Sequence, residues 1–323
     1  METTATLNPI LTVVANQFFR DPRGFVADLI APRFGASLQA GQYYKFAAAD
    51  LAQVPNLKPR APGSPYHRVQ TKVGSDSYAC ENYGLEAAAP DEERKKYASY
   101  FDLDKVKVNR IVDTIRVNRE LRVMTLVNAA TSANIAIPWN DPTSNPKADV
   151  DAVCTTIRQK TGSRKGAITM TISEPTFLVL QTHNKLVDLF KFTTPGVLNE
   201  EKLALYFGLR RVVVAYNIQA TNNEGQTFTA ADIWGNQAFF SVDSDAQDLE
   251  VPCWARSFYW TQFDSQVTSL DSNMPISGTT GISQPVFTYR DENVKSDIHR
   301  GDHYVVEKVV APDCGYVLNN CLG

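Results

Sequence analysis

The stretch DLDKVKVNRIVDTIRVNRELRVMTLVNAATS, residues 102–132, decides the fold class. It contains no proline or glycine, and Asp102 and Asp104 stand at its start, where acidic groups favour a helix N-terminus. At 100° per residue its apolar positions separate into two stripes, and charges such as Glu120 fall mostly between them. One stripe carries Leu103, Val106, Val117, Leu121 and Met124, and the other carries Val108, Ile111, Val112, Ile115, Val123 and Leu126. A helix of about 30 residues is ~45 Å long. We therefore expect packed structure on both sides of it, although a buried core helix of an ordinary enzyme would show a similar pattern.

The composition describes a soluble globular chain. The 323 residues are 43% apolar and 21% charged, and the formal net charge is −3. This balance disfavours a dedicated DNA-binding protein, which is usually basic. No apolar run approaches the ~18 residues of a membrane span. The N-terminus lacks the basic region of a signal peptide. The five cysteines form no CxxC pair, which predicts reduced thiols in a cytoplasm rather than a zinc site.

The first 90 residues divide into two predicted segments. Residues 1–38 contain a short amphipathic piece broken by prolines, which indicates either an arm lying over another surface or a frayed terminus. Residues 39–90 contain two strand-like runs around the proline-rich, basic sequence PNLKPRAPGSPYHR at 55–68. An isolated hairpin is marginal in water, so this excursion needs a partner surface on another subunit. An active-site lid or a solvated loop is the alternative.

The rest of the chain mixes helices and strands without a βαβ rhythm, which predicts an α+β fold. The charge run 91–96 reads as a solvated helix start leading into the long helix, and the turn-rich break at 138–146 marks a domain boundary. Helices are predicted from Pro146 to Gly162, from Ser173 through Phe190, and from Asn199 to Gly208. Strands are predicted at 167–172, 210–218, 233–242, 251–263, 285–290 and 303–310, with a polar loop at 264–284 and a possible edge strand at 314–318.

Catalytic patterns are weak throughout. The sequence has no P-loop, GxGxxG, GxSxG or HExxH motif. His299 and His303 have the spacing of a helical metal pair, but Gly301 lies between them and a strand follows, so we expect no metal there. His183 is predicted to lie in the middle of a helix as a surface or satisfied interior histidine. An enzyme is therefore not favoured.

The order of these pieces resembles the major capsid protein of tailed bacteriophages, whose fold is shared with encapsulins and herpesvirus capsid floors. The resemblance covers about residue 20 to the end of the chain. It is carried by FVADLIAPRF, GQYYKF, RAPGSPYHR, YACENYGLEAAAPDEER, NRELRVMTLVN, PWNDPTSNPKADVDAVCTTI, ISEPTFLVLQTHNKLVDLFKF and EEKLALYFGLRRVVVAYN. None of these stretches is specific to the family on its own, and the resemblance rests on their order along the chain.

The resemblance implies five parts. They are an N-terminal arm (1–38), an extended loop (39–90), a peripheral domain with a spine helix (91–138), an axial domain (139–285) and a return to the peripheral domain (286–323). Some relatives join their subunits through a lysine–asparagine bond, but no local motif marks a reactive lysine here, and we assume no cross-link.

The resemblance also implies the partners. Identical subunits would form hexamers and pentamers of an icosahedral virion shell, assembled in the host cytoplasm and enclosing double-stranded DNA nonspecifically. Portal, scaffolding and decoration proteins would be further partners, with no membrane and no cofactor. The predicted inter-subunit contacts are Lys58, Arg60, Tyr66, His67, Arg68, Lys72, Phe18, Phe19 and Arg20.

Two other functions stay open at this point. The same fold could serve as an encapsulin-type compartment that packages protein cargo instead of DNA. The chain could also be a soluble enzyme whose 39–90 excursion is a lid, which predicts a small oligomer and a defined pocket.

Overall fold

The structure is a computed structural model that describes residues 24–46, 59–60, 62–64, 66, 73–190, 198–222, 225–242, 253–261 and 286–323. The helices in these ranges are α1 (Ala27–Ile30), α2 (Asp91–Tyr97), α3 (Leu103–Asn128), α4 (Pro146–Thr161), α5 (Glu174–Thr182), α6 (Asn184–Phe190) and α7 (Glu200–Phe207). The strands are β1 (Arg33–Ala36), β2 (Ala40–Phe46), β3 (Val73–Ala79), β4 (Glu81–Asn82), β5 (Leu85–Pro90), β6 (Ser132–Asn134), β7 (Ile168–Ser173), β8 (Arg211–Ala215), β9 (Ile218–Ala220), β10 (Ala230–Asp232), β11 (Gln237–Val242), β12 (Ala255–Trp260), β13 (Val286–Asp291), β14 (Ser296–Gly301), β15 (Tyr304–Val309) and β16 (Gly315–Asn319).

The long helix predicted from the sequence is α3. It begins where expected, because the Asp102 carboxylate accepts hydrogen bonds from the backbone N–H groups of Asp104 and Lys105. It ends at Asn128, four residues before the predicted end, and β6 follows. The prediction that Glu120 lies among the charges between two apolar stripes is wrong. Glu120 and Arg119 are buried with the apolar residues of the helix, because both find polar partners in the interior.

The largest core surrounds a five-stranded sheet in the order β6-β16-β11-β7-β8. Every residue of β7 and β11 is buried. Helix α4 packs Val150, Val153, Cys154 and Ile157 into this core, as the predicted spacing requires. The stretch 314–318, predicted as a possible edge strand, is an inner strand, because β6 pairs in parallel along its outer side.

A second layer consists of a four-stranded sheet, β1-β12-β15-β4, and a three-stranded sheet, β13-β14-β5. Helix α3 lies against β5, β14 and β15, so the middle of the long helix is covered by strands. Tyr43, Cys80 and Phe258 form a small core of their own on the four-stranded sheet. The chain segment 286–323 thus contributes β14 and β15 beside α3, β13 as the edge strand next to β14, and then β16 to the larger sheet.

Three predicted elements differ in detail. The charge run 91–96 forms the separate helix α2, which ends before α3 begins. The helix predicted from Ser173 through Phe190 is broken at His183, whose backbone is extended at φ −65° and ψ 124°. The strand predicted at 210–218 ends at Ala215. The predicted loop at 264–284 lies outside the described residues, and the bounds of the five predicted parts stay predictions.

Candidate functional site: the projecting ribbon and its anchorage

The antiparallel pair β2–β3, which we call the ribbon, is the candidate assembly element. Its register runs from Ala40 opposite Ala79 to Phe46 opposite Val73. Within the part of the chain that the structure describes, neither strand pairs with any other strand. The predicted two-stranded excursion is therefore present, and both of its main-chain edges are free of ladder bonds to the body.

Aromatic packing anchors the base of the ribbon. The rings of Tyr43 and Tyr78 lie 5.0 and 4.9 Å, centroid to centroid, from the ring of Phe258 in β12. The Cys80 thiol donates to the Phe258 carbonyl at 3.4 Å. Burial, together with the nearby Asp76 carboxylate, raises the pKa of Tyr43 to about 12. The base of the ribbon is thereby fixed to the four-stranded sheet.

Further out, the ribbon presents apolar groups to solvent. Tyr44 is 68% exposed and Val73 is 52% exposed, on opposite strands of the pair. Lys45 and Asp76 form an exposed ion pair at 3.1 Å, which contributes little to stability. Exposed apolar side chains on a projecting two-stranded element are typical of a surface that another protein covers.

Arg60 and Tyr66 belong to the tip of the excursion. The Arg60 guanidinium carbon lies 4.1 Å from the Tyr66 ring centroid, and Arg60 also donates to the Ser64 carbonyl. The Tyr66 side chain is 78% exposed. The structure thus brings together two of the nine predicted contact residues. The other seven, Lys58, His67, Arg68, Lys72, Phe18, Phe19 and Arg20, lie outside the described residues.

A charge cluster holds the point where the ribbon segment returns to α3. Arg94 of α2 contacts Asp104 at 2.8 Å and Asp297 at 2.6 Å, and Arg290 makes two 2.7 Å contacts with Asp91. The hydrogen bond from Arg94 lowers the pKa of Asp297. Asp91 and Arg94 of the charge run therefore connect α2 with α3 and the β13–β14 hairpin, while residues 92, 93, 95 and 96 are exposed as expected.

Glu120, near the middle of α3, binds the first described part of the chain. Its Oε1 accepts from the Val26 N–H at 3.1 Å and from Trp234 Nε1 at 2.7 Å, and its Oε2 accepts from the Ala27 N–H at 3.0 Å. The side chain has no exposed surface, and burial raises the pKa of Glu120. One carboxylate thus joins α1, α3 and the residues before β11.

Two arginines of α3 on either side of Glu120 also pair with acidic side chains. Arg119 contacts Asp28 and donates to the Ser257 hydroxyl at 3.0 Å. Arg122 makes two hydrogen bonds to Glu307, at 2.9 and 3.0 Å. Burial alone would raise the pKa of Asp28, but the nearby charge of Arg119 helps to lower that pKa below its usual value. We call the residues Asp28, Arg119, Glu120, Arg122 and Glu307 the buried junction.

Sequence reasoning missed the buried junction, although a signal for it exists. Arg119 stands four residues after Ile115 and four before Val123, both of which are buried. A charged residue in line with an apolar stripe indicates either a partner inside or a break in the stripe. The partners Asp28 and Glu307 are far away in sequence, so the pairing itself could not be predicted.

The described histidines His183 and His299 have polar neighbours within the protein. The His299 ring nitrogens lie 2.9 Å from the Thr288 hydroxyl and 3.0 Å from Asp104 Oδ1, so both are occupied. The His183 ring is buried between α5 and α6 with Nε2 3.0 Å from the Ser144 hydroxyl, so its predicted position in the middle of a helix is wrong. Among the described residues no group of three or more His, Cys, Asp or Glu side chains is arranged to hold a metal ion.

The cysteines and the helices add two further observations. All five cysteines are buried and free, and burial raises the pKa of Cys80 and Cys154 to about 11. Such thiols are poor nucleophiles. A search of the described helices finds none that is both long and apolar enough to cross a membrane.

Comparison with known proteins identifies the fold. No protein-family model matches the chain, and no curated protein matches it in sequence. A phage-related protein from Bordetella bronchiseptica RB50 is similar in structure, with a TM-score of 0.68 and 20% identity over 98% of this chain and 97% of that one. The capsid of the cyanophage P-SCSP1u gives a TM-score of 0.59 and 11% identity over 95% and 94% of the two chains.

An encapsulin has the same fold. The SrpI encapsulin of Synechococcus elongatus PCC 7942 gives a TM-score of 0.53 and 10% identity over 95% of this chain and 94% of that one. The expected α+β capsid fold is confirmed: the chain has the fold of tailed-phage major capsid proteins, which encapsulins share.

Proposed function

We propose that this chain is a structural shell protein that self-assembles into the hexamers and pentamers of an icosahedral phage head. The observation that carries the proposal is the match to a phage capsid over 95% of this chain and 94% of the other, combined with the ribbon. The proposal accounts for the weak catalytic patterns of the sequence.

The ribbon supplies the inter-subunit contact in this proposal. Its base rests on Phe258, while Tyr44 and Tyr66 point their apolar area away from the body. Covering two such rings with a neighbouring subunit removes apolar area from water at about 25 cal/mol per Å². Each heterologous contact can be modest, because every subunit of a closed ring makes the same contact on both sides.

Charged groups at the tip contribute orientation more than affinity. Exposed ion pairs are worth about 0–1 kcal/mol each, so Arg60 acts by selecting the acidic site that it meets on a neighbour. The excess of acidic over basic residues gives the formal charge of −3 and limits adhesion to DNA. Packaged double-stranded DNA would then be held nonspecifically, with portal, scaffolding and decoration proteins as further partners in a virion assembled in the host cytoplasm.

Electron microscopy of the expressed protein tests the proposal. Negative-stain images and light scattering are expected to show rings, tubes or closed shells. Arg60→Glu is expected to reduce the assembled fraction at least fivefold, because it reverses the charge at the ribbon tip. Lys105→Glu is the matched control, since Lys105 is 74% exposed on α3, outside the ribbon, and undergoes the same change of charge.

Two results would overturn the proposal. One is a monodisperse monomer or dimer of the unmodified protein under all conditions of salt and concentration. The other is equal assembly of Arg60→Glu and the unmodified chain, which would contradict the proposed contact of the tip with a neighbouring subunit. Tight, salt-insensitive DNA binding by free subunits would contradict the nonspecific role of the genome.

An encapsulin-type compartment is the second candidate, and the fold shared with the SrpI encapsulin favours it. Particles purified from the native source separate the two functions. Shells that contain DNA and a portal support the phage head, whereas shells filled with a folded enzyme support the compartment. A small soluble oligomer that turns over a metabolite would instead support an enzyme with a lid.

A further inference from the structure

A small pocket lies between α7 and the start of β8. Its lining residues Ala204, Leu209 and Val212 are buried, whereas Leu205 beside them is 80% exposed. The volume of the pocket, about 290 Å³, is below the roughly 300–1,000 Å³ of pockets that enclose small molecules. A pocket of this size suits a single side chain.

The charged residues of the pocket select the kind of side chain. Arg210 and Arg211 line it beside β8, and Glu200 and Glu201 line it at the start of α7. The Glu200 carboxylate already accepts a hydrogen bond from the Tyr216 hydroxyl at 2.9 Å. Guanidinium groups stack favourably on the faces of aromatic rings. An aromatic side chain therefore fits this pocket better than an aliphatic one.

The β9–β10 hairpin presents such a ring to solvent. Phe228 is 61% exposed, two residues before β10 begins, and it does not line the pocket of its own copy. The backbone next to it is held in place, because the Thr229 N–H donates to Asn222 Oδ1 at 2.9 Å and the Thr221 N–H donates to the Thr229 carbonyl at 3.0 Å. The ring is thus positioned before any contact with a partner is made.

The surroundings of the exposed aromatic side chains distinguish Phe228 from the rest. The exposed aromatic residues in the described ranges are Tyr44, Tyr66, Tyr216, Phe228 and Tyr289. The rings of Tyr66 and Tyr289 already lie against an arginine of their own copy. Tyr216 donates to Glu200, and Tyr44 belongs to the ribbon, whose tip sequence is basic and is repelled by arginines. Among the described residues, Phe228 has no such neighbour.

The charge of the hairpin complements the arginine side of the pocket. Residues 218–232 contain Glu224 and Asp232 and no Lys, Arg or His, and Asp232 is exposed. An acidic hairpin is attracted by Arg210 and Arg211 and repelled by Glu201, so the charges favour one orientation of approach.

We propose that Phe228 of one copy inserts into the α7–β8 pocket of a second copy. The hairpin and the pocket are different surfaces, so each copy uses its hairpin toward one neighbour and its pocket toward another. Such a heterologous contact generates rings when the rotation closes and open filaments when it does not. The inference goes beyond the proposed function, because the contact does not require a closed shell.

Crosslinking between two variants that each gain one exposed cysteine tests the contact. Tagged subunits carry Thr227→Cys, which keeps the Phe228 ring, and untagged subunits carry Leu205→Cys. A short bismaleimide joins the new thiols, while the five native cysteines are buried. The matched control is Leu178→Cys, since Leu178 is 52% exposed on α5 and does not line the pocket. Position 205 is expected to give at least tenfold more tagged–untagged product than position 178.

Sedimentation velocity of the full chain gives a second readout that needs no crosslinker. Phe228→Ala is expected to raise the protein concentration required for association at least tenfold. Phe228→Trp keeps an aromatic ring and is expected to stay within twofold of the unmodified chain. Leu178→Ala, which removes an equally exposed apolar side chain outside the pocket, is expected to change nothing.

Three results would overturn the inference. They are equal crosslinking at positions 205 and 178, tagged subunits that link to one another as efficiently as to untagged Leu205→Cys subunits, and unchanged association of Phe228→Ala. Particle images report separately on the proposed function. Shells whose subunits lack the 227–205 crosslink contradict only this inference, whereas crosslinked copies that never form shells contradict only the proposed function.

Discussion

Removing the Glu120 carboxylate tests the buried junction directly. Glu120→Ala leaves three buried donors, the N–H groups of Val26 and Ala27 and the indole N–H of Trp234, without their acceptor. Each orphaned donor costs about 1–3 kcal/mol. We therefore expect Glu120→Ala to lower the free energy of unfolding by more than about 3 kcal/mol. Glu120→Gln keeps the volume and one acceptor oxygen, so we expect a loss of about 1–3 kcal/mol from it.

Urea unfolding of unassembled subunits provides the measurement, because assembly would add to the apparent stability. The matched control is Asn118→Ala, two residues away on the exposed side of α3, where a change within about 0.5 kcal/mol is expected. The m-value should stay constant across the set. A change in m would indicate an altered denatured state rather than a lost interaction.

A double-mutant cycle isolates the contact to the indole. Trp234→Phe removes one donor from Glu120 Oε1, and its cost should be smaller in the Glu120→Ala background by about 1 kcal/mol or more. Additive effects of the two substitutions would show that the 2.7 Å contact contributes no coupling. A loss below 1 kcal/mol for Glu120→Ala would refute the reasoning, because three buried donors cannot remain unpaired at that cost.

The other predictions use the same unfolding assay. Arg122→Lys is expected to lose about 1–3 kcal/mol, because an ammonium group cannot reproduce the paired contact with Glu307, and an unchanged midpoint would contradict this. Gly208→Ala should cost about 1 kcal/mol, since φ is 71° there, whereas Gly166→Ala in open space outside the left-handed region should not. Burial lowers the pKa of His303 to about 3, against 6.5 for the unfolded chain, so the unfolded state binds the extra proton and stability falls by roughly 3 kcal/mol between pH 6.5 and 4. His303→Gln should make stability nearly independent of pH between 6.5 and 4, and an unaltered slope would show that His303 does not cause the loss.

The elements that the sequence predicted well are those fixed by local signals. Helix α4 starts at Pro146 and stops at Gly162, whose φ of 72° suits a left-handed cap, and its apolar spacing matches the core. The start of α3 was equally clear, because the Asp102 side chain caps it. Such signals act within one or two turns, so a single sequence is enough to read them.

The elements that the sequence predicted poorly depend on distant partners. Nothing in the periodicity from Ser173 to Phe190 indicates the break at His183, whose ring contacts Ser144, 39 positions away in sequence. The inner place of β16 depends on β6, which contributes only three residues to the sheet. A short strand with exposed side chains gives no pattern of its own.

The candidate site shows the same division. The ribbon was predicted from alternation and prolines, and Arg60 and Tyr66, two of the described residues at the tip of the excursion, contact each other. The sequence predicted solvated surface at residues 91–96, because they carry charges of both signs that could pair with one another. One partner of Arg94, Asp297, is some two hundred residues away, and only the fold brings the pair to 2.6 Å.

The buried junction specifies position more than it adds stability. A buried ion pair often contributes no more than apolar packing of the same volume. Stability alone therefore does not explain why Arg119, Glu120 and Arg122 take the place of apolar residues on the covered side of the long helix. Apolar faces can slide, whereas Glu307 and the Trp234 indole have their partners in one arrangement only. A shift of α3 by one turn, about 5.4 Å, would leave several buried polar groups unpaired at about 1–3 kcal/mol each. Subunits of the proposed shell must repeat one geometry in every copy for symmetry to close, and a junction that permits a single register of α3 meets that requirement.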